Sequence, residues 1–146
     1  MIVQSGAKAG LSTQELFLKE PDWVQFFVAR NPDSKLTKEF SRHSRSLDLK
    51  PFVEKCFRCN REAKLMTAYA GNAESVMLWC EKCDPYSQAA NLGKLSEIVT
   101  MGQVCRFVDS TCSGRRSDKK RLMRKLAESK GMPKRVGQLQ AIQFLP

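Results

Sequence analysis

The feature that most constrains this chain is a pair of cysteine pairs. Cys56-Phe57-Arg58-Cys59 and Cys80-Glu81-Lys82-Cys83 stand 20 residues apart. Two residues between cysteines let one tight turn aim both sulfurs at a single ion, and two such turns complete a tetrahedron of thiolates. The spacing predicts one structural zinc held by Cys56, Cys59, Cys80 and Cys83. With all four positions taken by thiolates, none remains for water or substrate, so the metal is expected to organise the fold rather than to catalyse. This reading needs reduced thiols. No stretch approaches the ~18 consecutive apolar residues of a membrane span, and the first ten residues lack the basic start and apolar run of a secretory signal. A cytoplasmic protein with no membrane partner is therefore expected.

The segment between the pairs reads as a hairpin. Over 62–69, Ala63, Leu65, Thr67 and Tyr69 alternate with Lys64, Met66 and Ala68. Over 75–79, Val76 and Leu78 alternate with Met77 and Trp79, and Gly71-Asn72 between the two runs signals a turn. Two strands, each abutting a cysteine knuckle, resemble the zinc-ribbon superfamily over 52–86, in a four-cysteine form of bacterial or phage type. The resemblance implies the metal site and the hairpin. It leaves the function open, because zinc ribbons occur in transcription factors, primases, topoisomerases, ribosomal proteins and protein-binding adaptors.

Both flanks read as helical, which makes the expected fold class α+β. A helical region covers 1–51, the ribbon 52–86, and a second helical region with a basic helical hairpin 87–146. The 146 residues are 42% hydrophobic, enough for one domain's core. Ser12 with Glu15 predicts a capped helix over 12–18. Pro21 suits the first turn of a second helix, and Ser34 caps a third carrying Leu36, Phe40 and Leu47. Phe17, Trp23, Phe26, Phe27 and Phe40 are most simply its core, and His43, the lone histidine, a helix residue rather than a ligand. Gly6-Ala7-Lys8-Ala9-Gly10-Leu11-Ser12, Glu15-Leu16 and Pro21-Asp22-Trp23-Val24 resemble an accessory module that follows DEDD-family exonuclease domains. That resemblance implies a DNA-processing context and no catalytic carboxylates. Over 92–112, Leu95, Ile98, Val99, Cys105 and Val108 fall at helical spacing, with Cys105 and Cys112 read as small core residues.

Charge separates the third region from the rest. The chain carries +10, but residues 113–146 hold 10 basic residues and 2 acidic ones. Ser117 is read as the N-cap of a helix over 117–130, with Leu122, Met123, Leu126 and Ala127 as its apolar stripe. Gly131 ends it, and Pro133 opens another helix carrying Val136, Leu139 and Ile142. Arg115, Arg116, Lys119, Lys120, Arg121, Arg124, Lys125, Lys134 and Arg135 are the expected phosphate-docking set. Arg58, Arg61, Lys64 and Lys82 flank the knuckles, and Tyr69 and Trp79 are candidate stacking groups. No phosphate-cradling glycine loop, G-x-S-x-G or His-bearing metal motif is present, so a non-enzymatic reading is preferred. The expected function is zinc-stapled binding of DNA or RNA, in DNA processing or transcription. A protein-binding adaptor and a metal-dependent nuclease stay open as alternatives.

Overall fold

A computed structural model describes residues 1–4, 6–85 and 93–146. It is an α+β protein whose helices come from both ends of the chain and enclose one side of a small sheet. Among the described residues the elements run α1 (Thr13–Lys19), α2 (Pro21–Arg30), α3 (Lys35–Leu49), β1 (Leu65–Tyr69), β2 (Asn72–Trp79), β3 (Leu95–Glu97), α4 (Met101–Thr111), α5 (Arg116–Ser129) and α6 (Gln138–Phe144).

The first three helices start where local chemistry directs. The Ser12 hydroxyl accepts from the Glu15 N–H at 3.0 Å, Pro21 occupies the first turn of α2, and the Ser34 hydroxyl accepts from the Thr37 N–H at 3.1 Å. Phe17 and Phe40 are buried, and Trp23 stacks on Phe27 at 5.1 Å between ring centres. Phe26 departs from the aromatic core. It is exposed, with the Arg30 guanidinium 4.2 Å above its ring.

His43 is wholly buried on α3, its Nε2 2.8 Å from Thr13 Oγ1, while its Nδ1 has no partner. A bare lone pair costs less to bury than an orphaned N–H, so the network assigns the proton to Nε2. Burial drives its pKa down to about 4, against the opposing pull of Glu39. The unfolded chain takes up this proton near pH 6.5 and the folded one does not until about pH 4. Stability should therefore fall as pH drops through that window, by about 3 kcal/mol in all. Denaturant midpoints at pH 7 and pH 5 check this, and the part due to His43 should vanish in His43→Gln. An equal pH slope in that variant would remove the assignment.

The sheet has strand order β2-β1-β3, all antiparallel. Leu65 pairs with Trp79 and Thr67 with Met77, and the chain reverses at Ala70-Gly71, where Gly71 takes a φ of 78°. β1 departs from simple alternation: Leu65, Met66, Thr67 and Ala68 are all buried, and on the face away from Met66 and Ala68 the Trp79 indole reaches Thr67, donating to its Oγ1 at 2.9 Å. Met66, Ala68 and Leu78 join the helices in the common core, and β2 leans on α5.

The helix expected over 92–112 is corrected, with Leu92 itself outside the described residues. Leu95–Glu97 is a strand and α4 begins only at Met101. The open edge of β1 recruits it: the Ala70 N–H donates to Lys94 O at 2.8 Å and the Ile98 N–H to Met66 O at 2.7 Å. Thr100 and Gln103 then form a reciprocal capping box that starts the helix.

Helix α5 is the centre of the helical layer, packed against α1, α2 and α4, with Leu122, Met123, Leu126 and Ala127 fully buried. It starts two residues earlier than expected. Arg115 is its cap residue, without a side-chain cap bond, and Ser117 lies inside the first turn. Gly131 ends it at φ 105°. Pro133 does not open the next helix. The chain stays irregular until Gly137, whose N–H donates to Gln140 Oε1 at 3.0 Å. The apolar stripe of α6 is also displaced. Ala141, Phe144 and Leu145 are buried, whereas Leu139 and Ile142 are exposed, because α6 packs on α1. Lys130 ties the layer together from inside. Its ammonium donates to Leu47 O at 3.0 Å and Val99 O at 3.3 Å.

Candidate metal centre and cationic surface

The four cysteines of the two knuckles meet. Their sulfurs all lie within 4.8 Å of one another, with Cys59 and Cys80 at 3.3 Å. A tetrahedron with metal–sulfur bonds of ~2.3 Å has edges of about 3.8 Å, so the cluster has the size of one tetrahedral thiolate site. All six cysteines are free thiols. Soft thiolate donors at this spacing suit a single ion and leave no open position.

Local backbone shapes the first knuckle. The Cys56 N–H donates to Arg61 O at 2.6 Å and the Asn60 N–H to Cys56 O at 3.2 Å, while Asn60 sits in the left-handed region at φ 65°. This turn aims the Arg58 N–H at Cys56 Sγ, 3.4 Å away. The strands clamp the knuckles from the other side. The Phe57 N–H donates to Leu78 O at 2.9 Å and the Lys64 N–H to Trp79 O at 2.7 Å. Burial pushes the Cys56 thiol up, but the N–H groups of Cys80, Arg58 and Cys59 outweigh it and hold the pKa near 6. Such N–H···S contacts favour the anionic sulfur that a metal needs. Cys83, by contrast, is driven up by burial and the neighbouring sulfurs. Burial also pushes the Cys80 thiol up, but the Cys59 thiol and the N–H groups of Cys83 and Lys82 outweigh it and hold it below its usual range, so two of the four positions favour the anionic sulfur.

Cys105 and Cys112 lie apart from this cluster, buried on α4 and at its C-cap. Burial raises the Cys105 thiol to about 11, as expected of a core residue rather than a nucleophile.

The basic residues fall into distinct classes. Lys119 is 5% exposed and its ammonium sits 3.1 Å from Asp22, 2.8 Å from Asp109 and 2.7 Å from Gln25 Oε1. It fastens α5 to α2 and α4. The remaining α5 cations are on the surface. At 100° per residue, Arg116, Lys120 and Arg124 form one ridge, and Arg121 and Lys125 a second beside it. Arg116 is 72% exposed, Arg124 59%, Arg121 50%, Lys120 44% and Lys125 40%. Each leans toward an acid, most of them from outside the C-terminal region: Arg116 to Asp22 at 3.5 Å, Lys120 to Glu20 at 3.3 Å, Arg121 to Glu74 at 3.0 Å, Lys125 to Glu54 at 3.6 Å and Arg124 to Glu128 at 2.8 Å. Arg115 approaches Asp118 at 4.0 Å. Lys134 and Arg135 lie in the loop before α6, exposed, and make no ion pair among the described residues. At the knuckles, Arg58, Arg61, Lys64 and Lys82 are all exposed.

Tyr69 and Trp79 stand at opposite ends of the hairpin. Tyr69 is 40% exposed, while Trp79 donates its Nε1–H to Thr67 Oγ1 at 2.9 Å. The sequence reading passed over Phe57. It is 67% exposed and meets Trp79 edge-on at 6.0 Å, carried outward by its place inside the knuckle. An aromatic between two metal ligands was the available signal, since neither ligand can turn to cover it. Comparisons with protein-family models, curated proteins and solved structures return no match for this chain.

Proposed function

We propose that this is a zinc-stapled, non-enzymatic nucleic-acid-binding protein of the cytoplasm, acting in DNA processing or transcription and contacting phosphates through α5 and the loop after it. The observation that carries the reading is the pair of cation ridges on the exposed half of α5. Their acid partners are themselves at the surface, and ion pairs of that kind are worth only about 0–1 kcal/mol. A phosphate can therefore displace them at little cost. The docking set becomes Arg115, Arg116, Lys120, Arg121, Arg124, Lys125, Lys134 and Arg135, with Lys119 kept for the fold. Zinc suits the four-thiolate set in a reducing compartment. The bound centre carries a formal −2, which the exposed Arg58, Arg61 and Lys82 offset.

Salt titration tests the reading. About five phosphate contacts give a log–log slope of affinity against salt near −4 to −5. Neutralising Arg121, Arg124 and Lys125 together should weaken binding to all sequences alike and flatten the slope by about 2 to 3. A flat response in the native protein would overturn the proposal. A second reading, an adaptor gripping another protein, is favoured by the exposed Phe57, Tyr69 and Met77 on and beside the sheet.

A further inference from the structure

The cleft between α1, α5 and the loop at 132–136 has a lining that phosphate docking alone does not use. Lys19, Lys120, Arg124 and Lys134 surround it, and among the described residues no acidic one lines it. Leu18, Met132 and Val136 complete the wall, and the cleft encloses about 310 Å³. Leu18 is 2% exposed and Met132 7%, so the apolar part is a sealed floor rather than a rim.

The cations are unequally engaged. Lys19 leans away to Glu15 at 3.5 Å and Lys120 to Glu20 at 3.3 Å, both acids lying outside the lining. Arg124 is held at two points, its Nε on Glu128 at 2.8 Å and its Nη2 on Lys134 O at 2.6 Å. That fixes the guanidinium and leaves its Nη1 group to donate elsewhere. Lys134 makes no ion pair among the described residues. A concave wall of one charge sign focuses a positive potential on whatever enters. The occupant must be an anion, and to cover the half-buried Val136 and the alkyl stems of Lys19 and Lys120 it must also carry an apolar face. A bare phosphate meets only the first condition.

We propose that this cleft binds a nucleoside monophosphate group, with its phosphate monoester on Lys134, Arg124 and Lys120 and its base against Val136 and the alkyl stems of Lys19 and Lys120. The group occurs both as a free nucleotide and as the phosphorylated end of a strand. The second source rests on the nucleic-acid reading: Lys120 and Arg124 belong to the cleft and to the outer ridge of α5, so a strand tracking the ridge ends there.

Anisotropy titrations of the metal-loaded protein separate the cases, using one oligonucleotide with a 5′-phosphate, a 3′-phosphate or hydroxyl ends, a circular single strand, and free AMP as competitor. One phosphorylated end should bind about tenfold tighter than the hydroxyl form, the size of one charge-assisted contact. Lys134→Ala, an exposed change, should erase that preference and AMP competition, while the circular strand still binds with the loss of one phosphate contact, its salt slope flattened by about 1. AMP binding as tightly as the preferred end would assign the cleft to free nucleotide, and weaker AMP binding to strand ends. Equal binding of all strands with no AMP competition would overturn the cleft proposal and leave phosphate docking standing. AMP binding sensitive to Lys134→Ala, with no strand bound, would overturn phosphate docking and leave the cleft. Binding of neither would overturn both.

Discussion

Replacing Cys80 by serine should abolish metal binding and unfold at least the sheet. Strands of five, eight and three residues cannot stand alone in water, and β3 exists only by pairing with β1. The knuckles close the open end of the hairpin, and a structural zinc contributes about 10–16 kcal/mol to such small units. That is as large as the whole net stability of a typical domain, about 5–15 kcal/mol. The loss should spread, because Met66, Ala68 and Leu78 share one core with Leu122, Met123 and Leu126. Metal content per chain should fall from one to zero, the fluorescence of Trp79 should shift toward that of exposed indole, and a strong chelator should bring the native protein to the same state. Retention of one metal per chain with a native spectrum would refute the ligand assignment.

The neighbouring lysines 119 and 120 should behave as opposites. Lys119→Met removes the ammonium shared by Asp22 and Asp109, whose carboxyl group Lys119 holds below the usual range. Breaking a fully buried pair costs about 3–5 kcal/mol, but both carboxylates keep some contact with water, so about 2 kcal/mol is expected. Lys120→Ala removes an exposed pair with Glu20 and should change stability by no more than about 0.5 kcal/mol. Nucleic-acid affinity should fall in the second variant, and in the first only as far as the protein is unfolded. Thermal midpoints beside anisotropy titrations check both. A Lys119→Met protein as stable as the native one, yet impaired in binding, would return Lys119 to the docking surface.

What was legible from the sequence alone shares a common cause. The knuckles, the caps at Ser12 and Ser34, the Pro21 helix start and the Gly131 stop each depend on atoms within a few residues of one another. Their spacing is their geometry, and so the four-cysteine cluster, the hairpin and the starts of α1, α2 and α3 could be read directly. The remainder was settled by partners far along the chain. Leu95–Glu97 became a strand because β1 had an open edge, against a local pattern that suits a helix. The stripe on α6 turned because α1 was there to receive Ala141 and Phe144. Lys119 and Lys120 are the same residue type side by side, and only the fold, by bringing Asp22 and Asp109 to one of them, made it structural and left the other at the surface. Sequence determined the four-cysteine cluster and the sign of the surface charge. Tertiary structure decided which charges remain free to meet a ligand, because neutralisation depends on distance in space and not on distance along the chain.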